Sequence, residues 1–305
     1  SSPPSSGKYN FSIDRGGTFT DVYCTLPSGA TVVSKLLSED PANYDDAPTE
    51  GIRRILADHS GTPALYARRR RAAIASGAAV PLPTGLIGSV RMGTTVATNA
   101  LLERNGSRAG LVTNVGFGNL LEIGNQSRPN IFDLSCSGGG GVLYERAVEV
   151  DERVVLGTFT DGSGRSVLET TVSEYTGETI HVLRRPDLDA IRRQLRPLLD
   201  AGIRSLAIVL LHAHAFPAHE DAIAKLARSM GFDHVSPSSS VMPMVRAVGR
   251  GHTACAAAYL TPVIGEYLAG FLSGFDEGMR HRGEKGVRLD FMMSDGGLVP
   301  HDGFG

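Results

Sequence analysis

The sequence has no tryptophan and only three cysteines among its 305 residues. Cys24, Cys136 and Cys255 lie far apart, so they form neither a disulfide framework nor a paired-cysteine metal motif. That usage suits a reducing, intracellular compartment. An excess of charge of either sign is also missing. The 30 Lys and Arg against 32 Asp and Glu leave a net charge of −2, so no global field calls for nucleic acid or an acidic membrane. The one basic cluster, Arg68–Arg71, sits in Ala/Gly/Pro-rich sequence and reads as a solvated loop. Long apolar runs are absent: Leu206–Leu211 is strand-sized, and the helical stretch around 252–273 is interrupted by Pro262 and Glu266. No transmembrane span and no signal peptide are therefore expected, and a cytoplasmic location follows. Ser1–Lys8, Ser/Pro-rich and without an initial Met, is expected to be a disordered leader or the cut end of a longer polypeptide.

What is present is enough for a core: 41% of residues are hydrophobic, and the length suggests two domains. The most informative stretch is Asp14-Arg15-Gly16-Gly17-Thr18-Phe19-Thr20-Asp21. Before it, Tyr9, Phe11 and Ile13 alternate with polar residues; after it, Thr20, Val22, Cys24 and Leu26 alternate in the same way. This period-2 pattern predicts two half-buried strands joined at a Gly-Gly turn, with glycines admitting conformations closed to other residues. Such a turn can aim several N–H groups and the Thr18 and Thr20 hydroxyls at one anion. Asp14 and Asp21 flank it, and a carboxylate beside a polyphosphate makes sense through Mg²⁺, a hard cation that prefers oxygen. The pattern favours a phosphate-binding hairpin for a nucleotide over an ordinary tight hairpin with surface carboxylates. It is neither a P-loop, since no Gly-Lys-Ser/Thr follows, nor a dinucleotide fingerprint, since the third glycine and the helix are missing.

Further along, a third strand is expected over 30–37 and a helix over roughly 46–58, with Pro48 in its first turn. Residues 59–86 read as an insertion. A strand from Ile87 to Arg91 leads into Gly93-Thr94-Thr95 and a helix carrying Asn99, with Thr94 or Thr95 placed to cap it. A strand over 109–113 and a helix around 117–123 follow, then a polar, Gly-rich loop over 125–140 that holds Gln126, Arg128 and Asn130. Residues 141–181 are β-rich. Asp187 is expected to cap a helix kinked by Pro197, Ser205–Leu211 to form a buried strand, and Pro217 to open a helix ending at Gly231. A long helix spans about 252–273, and a strand over 288–293 runs into Ser294-Asp295-Gly296-Gly297-Leu298. Strands alternating with helices predict an α/β fold with a mostly parallel sheet. His212, His214 and His219 raise a metal site, since strand alternation would put His212 and His214 on one face. Only Glu220 is near enough in sequence to complete a set, so packing at a strand end and helix start is the preferred expectation, as it is for His252.

Several of these stretches together carry a resemblance. Asp14–Asp21, Lys35–Ser38 with Asp40–Ala47, Arg91–Leu102, Leu121–Gln126, Leu143–Arg153, His212–Glu220 and Arg250–Cys255 resemble, in the same order, the N-terminal half of the hydantoinase A/5-oxoprolinase family, its eukaryotic oxoprolinase branch above all. The resemblance implies an actin-like (ribonuclease H-like) ATPase lobe with an inserted β-rich segment. It divides the chain into an N-terminal family domain over 9–231 and the beginning of the hydantoinase A ATPase domain over 249–305, truncated at Gly305. It implies ATP and Mg²⁺ as cofactors and ATP-driven opening of 5-oxo-L-proline to L-glutamate through a phosphorylated lactam.

Carried onto this sequence, Gly16, Gly17 and Thr18 would contact the β/γ phosphates, with Arg15 and Thr20 in the same loop. Asp14 would hold Mg²⁺ through water, and Asp21 would orient hydroxyls or the metal's waters. Gly93, Thr94 and Thr95, with Asn99, match a family motif that fits phosphate, a substrate carboxylate or a plain helix cap. The loop of Gln126, Arg128 and Asn130 is expected to be solvated, with pairing of Arg128 to a substrate carboxylate as the alternative. Gly296 and Gly297 match a second turn facing a ligand.

A hydantoinase B-like half, fused or separate, is the implied partner, and the complete protein is expected to be a homo-oligomer. Holding one wall of an ATP cleft, the chain by itself is expected not to turn over. Two alternatives stay open: a hydantoinase or ATP-dependent ketone carboxylase subunit, and a module that binds nucleotide or a partner without catalysis.

Overall fold

The computed structural model describes residues 7–62, 81–125, 141–157, 167–279 and 286–303. The expectations placed on Ser1–Ser6, on most of the 59–86 insertion, and on Gln126, Arg128 and Asn130 lie outside these residues. The chain divides into two compact units, Ser1–Asn105 with Val263–Gly305, and Gly106–Pro262.

Unit 1 is built on β1 (Tyr9–Arg15), β2 (Phe19–Thr25), β3 (Thr31–Leu37) and β4 (Ile87–Thr94), with α1 (Ala47–His59) and α2 (Val96–Leu102). Tyr9, Phe11 and Ile13 of β1 are buried, as are Val22 and Cys24 of β2, so the period-2 pattern translates directly into one inward face. β1 and β2 form the expected antiparallel hairpin, with Asp14 opposite Asp21 and Arg15 opposite Thr20. α1 starts where expected: Asp46 accepts a hydrogen bond from the Thr49 amide at 2.8 Å, and Pro48 sits in the first turn. Its inward residues Ile52, Ile55 and Leu56 pack on the strand face.

A β-carbon on Gly51 of α1 would stand 2.6 Å from Val22 Cγ2, a side chain with no exposure. This glycine lets the helix lie close on the sheet.

The sheet is mixed rather than mostly parallel. Its order is β13-β12-β4-β1-β2-β3, where β12 is Arg288–Met292 and β13 is Leu298–Pro300. β1, β4 and β12 are parallel neighbours, while β2 pairs antiparallel with β1, β3 with β2 and β13 with β12. The hairpins at either side account for the difference, because a short turn can only join antiparallel strands.

Unit 2 holds a four-stranded, wholly parallel sheet. β5 (Ala109–Asn114), β6 (Arg146–Val150), β10 (Ser205–Val209) and β11 (His234–Pro237) lie in the order β11-β10-β5-β6. Every residue of β5 and β10 is buried, as befits central strands covered on both faces. A three-stranded antiparallel sheet adds β7 (Arg153–Leu156), β8 (Glu169–Val172) and β9 (Thr179–Arg184) in the order β7-β9-β8.

The helices of unit 2 begin with α3 (Leu120–Ile123) and α4 (Leu188–Asp200); α4 is capped by Asp187 and runs through Pro197 in its last turn. α5 (Ala218–Met230) ends, as expected, at Gly231 with φ +99°, and α6 (Ser238–Val241) follows. The last helix, α7 (Ala247–Ser273), is continuous through Pro262 and Glu266 and begins five residues before the helix expected over about 252–273. By length and composition it could cross a membrane. Its Ala254, Cys255 and Ala258 nevertheless join the core of unit 2, and Phe271 that of unit 1.

Gly51→Ala tests the packing of α1. Helix propensity alone would make the change stabilising by about 1 kcal/mol, but the collision with Val22 is expected to outweigh it. The predicted result is a net loss of about 1–3 kcal/mol, read from the urea midpoint.

Candidate functional site

Parallel pairing in unit 1 gathers three of the segments singled out in the sequence. Asp14 lies beside Gly93 and Arg15 beside Thr94 across the β1–β4 ladder, and Phe291 lies beside Met92 across β4–β12. The Arg15–Phe19 turn, the Gly93–Thr95 junction and the Met293–Gly297 turn therefore all leave the carboxyl edge of three adjacent parallel strands. That edge is where the loops of a parallel sheet diverge and ligands enter.

The turn is held by its own backbone and by Ser38. Gly16 N–H donates to Phe19 O at 3.0 Å, Ser38 N–H to Thr18 O at 2.9 Å, and Ser38 Oγ to Gly16 O at 2.7 Å. Neither Gly16 nor Gly17 has a positive φ, so conformational freedom is not what the glycines supply. They supply close approach: a β-carbon on Gly17 would stand 2.9 Å from Asn99 Nδ2, and one on Gly16 3.0 Å from Phe19 O. Asn99 in turn donates to Thr95 Oγ1 at 3.2 Å, and Thr95 N–H donates to Arg15 O at 3.1 Å. Thr95 thus ties the α2 junction to the turn, and Asn99 packs close against Gly17.

Several expected roles change with this geometry. Thr20 is fully buried and its hydroxyl shares a hydrogen bond with Ser38 Oγ at 3.0 Å, so it faces the core and not an anion. Asp21 is ion-paired with Lys35 at 3.1 Å on the exposed face, beneath which Lys35 also sits over the Phe19 ring. Arg15 stacks its guanidinium 5.0 Å from the Tyr267 ring centroid, and its buried Nε has no hydrogen-bond partner. Of the two threonines, Thr95 is the N-cap residue of α2 but makes no side-chain cap, and Thr94, one residue earlier, accepts from Val96 N–H at 3.3 Å.

The N–H groups of Gly296 and Gly297 are spent inside their own turn, on Met293 O and Asp295 Oδ1. On the hairpin, Asp14, Gly17 and Thr18 are exposed, and the Thr18 carbonyl is already taken by Ser38 N–H.

In unit 2 the histidines fall differently from expectation. β10 ends at Val209, so His212 and His214 lie in a turn and not on one strand face. His212 adopts φ +59°, and its ring centroid is 6.3 Å from that of His214. His219 is buried, hydrogen-bonded through Nδ1 to Glu152 Oε1 at 2.7 Å and stacked edge-on against Phe216. Among the described residues no group of three His, Cys, Asp or Glu could hold a metal ion.

The sequence reading missed the polar web around these residues. The Glu220 carboxylate accepts from Leu210 N–H, Ser238 Oγ, Ser239 N–H and Ser239 Oγ at 2.7–2.8 Å. Arg250, fully buried, donates to Ser238 Oγ, Met244 O and Leu210 O. Burial raises the Glu220 pKa and lowers that of Arg250. A lone arginine in the apolar sequence of α7 was the available signal.

The architecture defines an α/β protein. Its fold matches the ATP-dependent caprolactamase from Pseudomonas jessenii with a TM-score of 0.63 at 23% identity, over 95% of this chain and 36% of that one. The family model for the hydantoinase/oxoprolinase N-terminal region matches residues 10–231, and the chain belongs to that family. It is 50% identical over 299 residues to 5-oxoprolinase 1 of Arabidopsis thaliana, covering 98% of this chain. It is 41% identical over 303 residues to the 5-oxoprolinase of Saccharomyces cerevisiae, covering 96%. The chain spans 22% of the length of each of these two relatives and corresponds to their N-terminal part.

A pH-dependent contribution follows from the histidine turn. Burial lowers the pKa of both His212 and His214 below the ordinary value of 6.5. The unfolded chain therefore takes up protons first as the pH falls, and stability present above that value is lost below it. Glu220 acts in the opposite direction, so the test is a comparison. The double variant His212→Asn/His214→Gln should lose less stability than the wild type between about pH 7.5 and about pH 5.5, measured by urea unfolding.

Proposed function

We propose that this chain is the nucleotide-binding part of an ATP-dependent 5-oxoprolinase, which opens 5-oxo-L-proline to L-glutamate as ATP is hydrolysed. The observation that carries the reading is the convergence of the Asp14–Thr18 hairpin, Gly93–Thr95 with Asn99, and the Ser294–Gly297 turn on one carboxyl edge. The names of the relatives, 5-oxoprolinase and ATP-dependent caprolactamase, point to the same class of reaction. Three antiparallel strands followed by parallel ones in a single sheet support an actin-like lobe.

On this reading the N–H groups of Gly17 and Thr18, with the Thr18 hydroxyl, hold the β/γ phosphates. Asp14 holds Mg²⁺ through water, and Mg²⁺ supplies charge neutralisation on the phosphate oxygens. Asp21, already paired with Lys35, tunes the charge of the hairpin and takes no direct part. Gly93 and Gly296–Gly297 line the edge. Asn99 packs against the turn. The amide resonance of a lactam opposes direct hydrolysis; phosphoryl transfer to its oxygen makes a leaving group and an electrophilic carbon for water. The protein's share of that work is positioning and electrostatics.

The same reading assigns a hydantoinase B-like half as partner, a homo-oligomeric complete protein, a cytoplasmic location, and the segments 9–231 and 249–305 as successive family domains.

The test is phosphate release by the complete polypeptide that carries this chain, with Mg·ATP, in the presence and absence of 5-oxo-L-proline. Stimulation by 5-oxo-L-proline is expected, and Asp14→Asn should reduce it by about 10–100-fold. Lack of stimulation from a folded protein would bring hydantoins and carboxylase substrates to the front. Gly17→Ala is expected to weaken Mg·ATP binding, measured by calorimetry, because its β-carbon must displace the Asn99 amide.

A further inference from the structure

β1 carries one residue out of keeping with its buried face. Side chains alternate along a strand, so Tyr9, Phe11, Ile13 and Arg15 share one side of the sheet. Tyr9, Phe11 and Ile13 are buried in the core of unit 1, and the series ends in a cation. Arg15 closes the strand at its carboxyl edge, immediately before Gly16 and Gly17.

The guanidinium of Arg15 lies 5.0 Å from the ring centroid of Tyr267, on the part of α7 that belongs to unit 1. Tyr267 packs against the same core, and its hydroxyl donates to Met92 Sδ at 2.9 Å. Across the β1–β4 ladder Met92 is the partner of Ile13, and Thr94 that of Arg15. One tyrosine therefore touches both parallel strands just before the Gly-Gly turn and the Gly93–Thr95 junction leave them.

Nothing in this arrangement cancels the charge of Arg15. Among the described residues no carboxylate lies at ion-pair distance from it. Its buried Nε has no hydrogen-bond partner either. A cation drawn partly out of water ordinarily meets a carboxylate, because an unpaired charge there is costly. An aromatic face attracts the guanidinium and fixes its plane, yet the ring is neutral and leaves the positive charge intact. A carboxylate in the same place would hold Arg15 equally well and remove the charge that an anion at the turn needs.

We infer that Tyr267 is a positioning residue for nucleotide binding. It holds the Arg15 guanidinium at the foot of the Gly16–Thr18 turn as a fixed, uncancelled charge for the β/γ phosphates. The inference rests on the nucleotide reading proposed above and adds to it a residue that itself touches no ligand.

The test is calorimetric titration of the complete polypeptide with Mg·ATP, Mg·ADP and AMP, each variant being checked for folding by circular dichroism. Arg15→Gln should weaken Mg·ATP by about tenfold or more, Mg·ADP by less, and AMP by under about twofold, because the lost attraction follows the phosphate charge near it. Tyr267→Leu, which keeps bulk but not the ring, should weaken Mg·ATP by about three- to tenfold in the same graded order. Tyr267→Phe, which keeps the ring, should bring the affinities back to within about twofold of wild type. In the Arg15→Gln background, Tyr267→Leu should cost no further affinity, since Arg15 is no longer there to be positioned.

Losses that multiply in the double variant, or that are equal for every nucleotide bound, would mean a structural role and overturn the inference. Should Arg15→Gln fail to fold, the graded loss in Tyr267→Leu and its rescue in Tyr267→Phe decide the matter. Wild-type binding of Mg·ATP with full affinity in folded Tyr267→Leu would overturn this inference alone. A wild type that binds no nucleotide would overturn the function proposed above together with it.

Discussion

Unit 1 depends on the parallel pairing of β1 with β4. A hairpin can form from its own sequence, but a parallel neighbour must come back from a distant part of the chain, here from Ile87–Thr94 and then from Arg288–Met292. The entropy of closing such long loops is less severe than their length suggests, about 0.6 kcal/mol for each doubling. What holds the strands in register is the apolar face shared by Phe11, Ile13, Val90, Met92 and Phe291, all buried in one core. Because side chains alternate along a strand, a slip of one residue would turn that face outward. The register that buries Ile13 beside Met92 is also the register that sets Asp14 beside Gly93. Core packing and site assembly are therefore one constraint.

Unit 2 answers to a different balance. Its parallel strands are sheathed in aliphatic side chains, yet the ends of β10 and β11 meet a buried carboxylate and a buried guanidinium that do not touch directly. Ser238 stands between them, accepting from Arg250 Nε and donating to Glu220 Oε1, each at 2.7 Å. Charges taken out of water are tolerated only when their lone pairs and protons are used up, and here nearly every one is. Removal of one member of such a network costs about 3–5 kcal/mol in comparable buried pairs. The orphan nitrogens of His214 and Arg153 stand out against this background of satisfaction.

How much of this was legible depended on range. The β1–β2 hairpin, α1 with Pro48 in its first turn, the Asp187 cap of α4 and the Gly231 stop of α5 are written in local sequence, because caps and alternation act over a few residues. The pairing of β1, β4 and β12 has no local signature, so a sheet read as mostly parallel proved mixed. Side-chain direction was also hidden. Thr20 and Asp21 are adjacent in sequence, yet strand parity sends one into the core to Ser38 and the other out to Lys35. His212 and His214 were given strand alternation that stops at Val209. Arg250 looked like part of a motif; only three dimensions reveal it as the hub of a buried network.

β3 is an edge strand, and its outward face, continued on β2, is largely apolar: Phe19 lies opposite Leu37, and Tyr23 opposite Val33. The unpaired backbone of such an edge is a template for strand addition by another chain. Between the two apolar pairs stands the ion pair of Asp21 and Lys35. As a contribution to folding an exposed pair of this kind counts for little. Its consequence is colloidal: an incoming β-segment would have to strip water from both charges before it could stack on Phe19 and Tyr23. The pair thus acts as a gatekeeper against aggregation for the same hairpin whose tip carries the Gly-Gly turn.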